Sequence, residues 1–184
     1  ESRIEMPDDL PHIAAGLFGY LGYDMIRLVE HLPDVNPDTL GVPDSILLRP
    51  SVVAVIDGVK GEVTVVSPVW ATAGLDARAA YNQAAERVMD AVRDLDRAVI
   101  GENRDLGDVA EVGEPVSNFS HQGYLDAVEV AKEYIRAGDI FQVVPSQRWA
   151  MDFPLPPFSL YRRLRRTNPS PFMFYFTFGG FQAV

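Results

Sequence analysis

Apolar and polar positions in the first half of the chain predict several strands followed by one helix. Residues 14–23 form an apolar segment with glycine at positions 16, 19 and 22. This pattern favours a buried strand that another backbone or bulky side chains approach closely, over a phosphate-binding loop. Two strand-like runs, 46–56 and 62–67, flank the Asp- and Gly-containing residues 57–61 and predict a β-hairpin. Residues 75–99 predict a helix, because Val88, Val92, Leu95 and Val99 recur at helical spacing. Charged residues cover its other face: Glu86, Arg87, Asp90, Arg93 and Asp94.

The second half opens with a second predicted helix and a long apolar run. Ser120 suits the N-cap, residues 124–135 repeat apolar side chains on one helical face, and Gly138 suits the position after the helix. Residues 140–153 then predict a long strand. Because Pro145 lacks a backbone N–H, we expect a bulge or a sheet edge there.

The last part of the chain predicts a short helix over 158–166 and a strand over 173–178. Both faces of that strand are largely apolar, so we expect it to be central in a sheet, and Gly179-Gly180 predicts a hairpin turn after it. The helix carries the only basic cluster of the sequence. Its four arginines form either a solvated face or a site for an anion or an acidic partner: Arg162, Arg163, Arg165 and Arg166.

These patterns together predict an α+β fold class, with antiparallel sheets of the β-sandwich type and helices packed outside. Residues 100–114 are acidic, contain glycine and lack apolar periodicity, so they predict a linker. The predicted organisation is an N-terminal α+β domain over 1–99, this linker, and the start of a second domain over 115–184. The chain begins without Met and its last strand is short, so we expect a truncated piece of a two-domain protein.

Composition narrows the class of partner. The 184 residues carry a net charge of −10, which argues against a nucleic-acid-binding or anionic-membrane surface. The absence of cysteine excludes disulfides and thiolate metal sites. No run reaches the roughly 20 apolar residues of a spanning helix, and no secretory signal opens the sequence. We therefore expect a cytoplasmic protein without nucleic-acid or membrane partners.

Two features could carry chemistry. Gln142 interrupts an apolar run, and a buried polar group costs free energy unless it is hydrogen-bonded, so Gln142 is predicted to be paired in the core or to face a cavity. Residues 168–173 contain two prolines that fix φ. They form either a tight entry to a core strand or a rigid ligand-binding corner. The sequence shows no nucleophile–base pair, metal-ligand spacing or phosphate loop.

Three stretches resemble one enzyme family. Residues 124–148 resemble the start of the chorismate-binding domain of anthranilate synthase component I and its relatives. Residues 168–174 resemble the anthranilate synthase form of a motif that differs in related enzymes. Residues 16–24 resemble the N-terminal domain of the same family. The resemblance spans nearly the whole chain in the right order, and Pro145 departs from it by replacing a common leucine.

The resemblance implies a lyase of tryptophan biosynthesis that converts chorismate and ammonia to anthranilate and pyruvate with Mg²⁺. Ammonia is supplied from glutamine by a glutamine amidotransferase subunit or a fused domain. Gln142 matches the position where water-using relatives carry a lysine general base; a neutral amide could instead orient ammonia. The corner matches the family's feedback site, where tryptophan is the inhibitor: Asn168, Pro169, Ser170, Pro171, Phe172 and Met173.

The resemblance also implies that much of the catalytic equipment lies elsewhere. The Mg²⁺ ligands, the catalytic histidine and the arginine for the chorismate carboxylate are expected beyond residue 184, so the chain alone is predicted to be inactive and to hold no metal residue. Two alternatives remain open. One is aminodeoxychorismate synthase component I, which adds nitrogen at a different ring carbon. The other is a tryptophan-sensing module without catalysis.

Overall fold

The computed structural model describes residues 5–70, 72–98 and 113–184, so most of the predicted linker 100–114 lies outside the described residues. The chain divides into two compact units, Glu1–Gly101 and Glu102–Val184. The first unit contains two 3-10 helices, four strands and one long helix: His12–Ala15, β1 (Phe18–Leu21), Tyr23–Leu28, β2 (Ser45–Leu48), β3 (Val53–Asp57), β4 (Glu62–Val66) and α1 (Ala77–Leu95).

Strands β1 and β2 pair antiparallel through a close approach at glycine. Gly19 lies opposite Leu47 and has φ of 155°, in the range that favours glycine. A Cβ placed on Gly19 would lie 1.8 Å from the carbonyl oxygen of Ile46. The predicted close approach of another backbone is therefore confirmed at Gly19 and Gly22 but not at Gly16, and only Phe18–Leu21 of the run 14–23 is a strand.

The hairpin prediction is confirmed by β3 and β4. They pair antiparallel from Val53 opposite Val66 to Asp57 opposite Glu62. In the turn, Asp57 Oδ1 accepts the N–H groups of Val59 at 2.9 Å and Lys60 at 3.0 Å. The run over 46–56 proves to be two strands rather than one, because residues 49–52, which include a proline, separate β2 from β3.

Helix α1 confirms the predicted helix, but its inner face differs from the prediction. Asp76 caps it by accepting two backbone N–H groups, and Ala80 and Ala84 are buried on the side that contacts β4. The predicted apolar face is wrong at its C-terminal end, where Val92 and Leu95 are exposed. Leu95 follows Ala84 by about three helical turns on nearly the same face, so burial falls along the helix axis rather than around it.

The second unit contains two helices and four short strands: β5 (Val116–Ser117), α2 (His121–Ala137), β6 (Trp149–Ala150), α3 (Pro157–Thr167), β7 (Phe176–Thr177) and β8 (Gln182–Ala183). Ser120 caps α2 as predicted, accepting the Gly123 N–H at 3.0 Å. Gly138 ends the helix in the left-handed conformation, with φ of 84°. The N–H of Asp139 reaches back to the Tyr134 carbonyl at 3.0 Å, which completes the expected glycine-terminated helix end.

Two predicted strands of this unit are wrong in extent. Only Trp149–Ala150 of the run 140–153 is a strand, and it pairs with β5. Only Phe176–Thr177 of the run 173–178 is a strand. It pairs with β8 through the predicted turn, in which Gly179 has φ of 81°. Within the described residues β7 has no second neighbour, so its predicted central position is not observed.

The α+β class is confirmed, because helices accompany four separate two-stranded antiparallel sheets in the described part of the chain. The β-sandwich and the two-domain arrangement stay predictions. Among the helices that the structure describes, none combines the length and apolarity that crossing a membrane would take.

Candidate functional site

Gln142 lies in an irregular segment that follows α2, and its side chain is exposed. The buried or cavity-facing position predicted for it is therefore wrong in this chain. Its neighbour Phe141 is fully exposed, and Val144 is 77% exposed. Among the described residues no hydrogen bond engages the Gln142 side chain, so its amide is available to a ligand.

The C-terminal end of this segment is held in place while its middle projects. The Tyr124 hydroxyl of α2 donates to the Pro145 carbonyl at 3.3 Å. Two residues on, the Ser117 hydroxyl donates to Gln147 Oε1 at 3.1 Å. Asn118 Oδ1 then accepts the backbone N–H of residue 148 at 2.8 Å. These bonds fix the C-terminal end of the segment, whereas Gln142 lies in its exposed part.

The corner 168–173 directly follows α3. The backbone N–H of Asn168 donates to the Leu164 carbonyl at 2.8 Å and so ends the helix. The two prolines that follow fix φ and lack N–H groups, which prevents the helix from continuing. Phe172 is 91% exposed, whereas Met173 is half-buried. The corner therefore presents one large apolar side chain to solvent on a stiff backbone.

Aromatic packing anchors the strand that leaves the corner. The Tyr175 ring lies 5.2 Å from the Phe158 ring and 6.0 Å from the Tyr161 ring, both on α3. On the opposite face, Phe174 and Phe176 have ring centroids 5.2 Å apart. The alternation of side chains predicted for this run is thus confirmed, although most of it is not strand. Such ring contacts stabilise the corner beyond simple burial.

The structure does not join the two predicted sites. Among the described residues, no hydrogen bond, ion pair or ring contact connects Gln142 with the corner 168–173. Nor does any group of three or more His, Asp or Glu side chains in this part of the chain lie close enough to hold a metal ion. The described residues therefore form no group of Mg²⁺ ligands, and the Mg²⁺ requirement stays a prediction.

The four arginines of α3 are exposed and form no ion pair within the described residues. Both interpretations of this basic cluster therefore stay open. Sequence reasoning misplaced a different basic residue, Arg87 of α1. Arg87 was assigned to the polar face of α1, yet it is half-buried and donates from Nε to the Ser67 hydroxyl at 3.0 Å. Its spacing of three and seven residues from Ala84 and Ala80 was the available signal.

A family model described as chorismate binding enzyme matches residues 2–184. The chain belongs to this family of chorismate-binding enzymes. It is also similar to particular members. It is 77% identical over 184 residues to anthranilate synthase component 1 of Cereibacter sphaeroides, covering all of this chain and 37% of that protein. It is 41% identical over 177 residues to the Thermus thermophilus protein of the same name, covering 96% of this chain and 36% of the relative.

A solved structure shows the same likeness. Anthranilate synthase component I from Streptococcus pneumoniae TIGR4 superimposes with a TM-score of 0.81 and 29% identity, covering 98% of this chain and 40% of that one. The chain thus spans well under half the length of the relatives it matches. The resemblance found in the sequence is confirmed at the level of the family.

Proposed function

We propose that this chain is part of a chorismate-aminating lyase of the anthranilate synthase component I type, acting in the cytoplasm in tryptophan biosynthesis. Chorismate and ammonia would give anthranilate, pyruvate and water, with Mg²⁺ held by residues outside this chain. The observation that carries the proposal is the 77% identity, along the entire chain, to a protein named anthranilate synthase component 1. Ammonia would come from glutamine through an amidotransferase subunit or a fused domain.

Gln142 would take part in amination by orienting ammonia. Its exposed, unengaged amide supports this role, because an amide oxygen can accept a hydrogen bond from ammonia without removing a proton. Ammonia is already a nucleophile, so positioning rather than deprotonation is required. Because the C-terminal end of the segment is held by hydrogen bonds, the positions open to the Gln142 amide would be restricted.

The corner 168–173 would bind tryptophan as a feedback inhibitor. A stiff backbone with an exposed Phe172 and a half-buried Met173 offers apolar contact to an indole at little loss of conformational freedom. Asn168 and Ser170 add polar groups for the ligand's polar atoms.

Product identification tests the proposal. The complete protein that contains this chain is incubated with chorismate, Mg²⁺ and ammonium salt, and products are identified by fluorescence and mass spectrometry. Anthranilate together with pyruvate is the expected result, and the isolated 184-residue chain is expected to give neither. An aminated chorismate without pyruvate would contradict it in favour of aminodeoxychorismate synthase. Tryptophan binding without any turnover would instead favour the sensing module.

Variants then test the two sites in the same assay. Gln142→Ala is expected to lower kcat by about tenfold or more while tryptophan inhibition is unchanged. Gln122→Ala is the matched control, an exposed glutamine whose amide donates to Asp126 on the same helix, away from the segment. Phe172→Ala is expected to weaken tryptophan inhibition and to leave kcat unchanged. An equal loss of kcat in the two glutamine variants would assign Gln142 a structural role.

A further inference from the structure

A cleft of about 240 Å³ lies in the first unit, where the ends of the β3–β4 hairpin meet α1. Arg49 and Ser51, which precede β3, form one side, and Trp70, which follows β4, forms another. Helix α1 contributes residues at helical spacing. The remaining wall contains five apolar and two polar residues: Pro50, Pro68, Val69, Leu75, Ala80, Thr72 and Gln83. The cleft is therefore lined by both polar and apolar groups, the combination by which a small-molecule site fixes a ligand's orientation.

Two arginines face this cleft without a carboxylate partner. The Arg49 guanidinium lies over the Trp70 ring, 4.5 Å from its centre. Two successive hydrogen bonds position Arg87. Its Nε donates to the Ser67 hydroxyl at 3.0 Å, and that hydroxyl donates to the Ser51 carbonyl at 2.8 Å. Within the described residues neither arginine forms an ion pair.

What distinguishes these two arginines is that both line one cleft, whereas the α3 arginines, which are also unpaired within the described residues, lie on an exposed helix face. With a net charge of −10, carboxylates outnumber basic groups, and five other basic residues do have carboxylate partners: Arg27, Arg93, Arg97, Lys132 and Arg136. Two arginines held in one concave surface create a local positive potential there. Guanidinium groups bind carboxylates through paired N–H donors, which suits an anionic ligand.

Trp70 adds a further donor. Its indole Nε1 is buried and has no hydrogen-bond acceptor among the described residues. A buried donor without an acceptor costs free energy and is unusual in a folded protein. This donor belongs to the residue that forms one wall of the cleft.

We propose that this cleft binds a small organic carboxylate with a flat apolar body, its carboxylate held by Arg49 and Arg87 and its body against Trp70 and the proline-rich wall. Such binding is independent of the amination proposed above, because every residue that forms the cleft belongs to the first unit. Gln142 and the corner 168–173 belong to the second.

The two tryptophans of the chain allow a direct test. In the 184-residue chain carrying Trp149→Phe, Trp70 is the sole tryptophan and reports on the cleft. Benzoate, acetate and inorganic phosphate are titrated at constant ionic strength while Trp70 emission is recorded. A saturable change with benzoate is expected, with acetate binding more weakly because it lacks the flat body. No saturable change, or tighter binding of phosphate than of benzoate, would overturn the proposal.

Arginine variants locate the bound carboxylate. Arg49→Gln is expected to raise the Kd for benzoate by about tenfold, since one charge-assisted hydrogen bond is lost. It should fold normally, because Arg49 is exposed. Arg87→Gln should have a similar effect, with circular dichroism confirming that α1 is retained. Arg78→Gln is the matched control, an exposed arginine on the same helix outside the cleft. Unchanged benzoate affinity in Arg49→Gln would refute the assignment.

Discussion

The β3–β4 hairpin and the segment 140–148 are both apolar runs that predict strands, yet only the hairpin forms them. In the hairpin, the partner strand follows after a turn of a few residues, and Asp57 fixes that turn by accepting two N–H groups. Among the described residues no strand close in sequence pairs with the segment, and Pro145 lacks a backbone N–H donor. An apolar run thus becomes a strand where nearby chain satisfies its backbone groups.

The largest effect is expected from Gly19→Ala in the first unit. An added Cβ would lie 1.8 Å from the Ile46 carbonyl oxygen, and the φ of 155° disfavours alanine. The free energy of unfolding should fall by about 3 kcal/mol, measured by denaturant titration with Trp70 emission. Gly58→Ala is the control, since nothing lies within 4 Å of its added Cβ. Equal stability of the two variants would contradict a strand pairing that depends on close backbone approach.

A smaller effect is expected from Gly138→Ala at the entry to segment 140–148. Nothing lies within 4 Å of the added Cβ, so the cost comes from the φ of 84° alone. We expect the free energy of unfolding of the second unit to fall by about 1 kcal/mol. The emission of Trp149, in a chain that also carries Trp70→Phe, measures this loss. Gly180→Ala, also in open space but without a positive φ, should be nearly neutral. A neutral Gly138→Ala would show that the left-handed helix end does not determine how the segment starts.

The contrast between the packed β3–β4 hairpin and the exposed segment 140–148 is tested directly by two variants, Val55→Ala in β3 and Val144→Ala in the segment. Val55 is half-buried in the hairpin, so its truncation should cost about 1 kcal/mol. Val144 is 77% exposed, so its truncation should change stability by less than about 0.5 kcal/mol. Denaturant titration of both variants provides the measurement. A loss at Val144 as large as that at Val55 would mean that the segment is packed after all.

The smallest effect is a pH dependence at the hairpin turn. Backbone hydrogen bonds from Lys60 and Val59 hold the pKa of Asp57 below its ordinary value. A lowered folded-state pKa stabilises the fold above the unfolded-state pKa, and this contribution is lost as pH falls through the folded-state pKa. Asp57→Asn should therefore be slightly less stable than the parent at neutral pH and equal to it in strong acid.

Thermal unfolding across pH measures this difference. Asp152→Asn is a suitable control, because it removes the same charge from an exposed residue that makes no hydrogen bond within the described part of the chain. If the stability difference between Asp57→Asn and the parent did not depend on pH, it would come from altered hydrogen-bond geometry in the turn and not from the lost carboxylate charge.

Much of the local structure could be read from the sequence because its causes are local. The caps Ser120 and Gly138 and the hairpin turns at 57–61 and 179–180 each depend on a few neighbouring residues. The family was likewise recognisable from residues 124–148 and 168–174, and the match over 2–184 confirms it. Of the candidate site, the residue types and the stiffness of the corner were predictable, since prolines fix φ wherever they occur.

Burial and pairing could not be read in the same way. Gln142 was expected to lie inside because its neighbours are apolar, but no described strand pairs with that segment, and it projects into solvent. Arg87 was expected outside because it is charged, but it follows the alanine face of α1 and reaches Ser67. In both cases the outcome depends on which distant residues come into contact.

The sequence by itself determined the α+β class, the helix ends, the hairpin turns and the family of chorismate-binding enzymes. Tertiary structure alone decided that Gln142 is exposed and that Arg49, Arg87 and Trp70 share one cleft. The physical reason is the separation in sequence between the residues that interact. Caps and turns are settled by hydrogen bonds among residues close in sequence, whereas a cleft is assembled from residues up to 38 positions apart that only packing brings together.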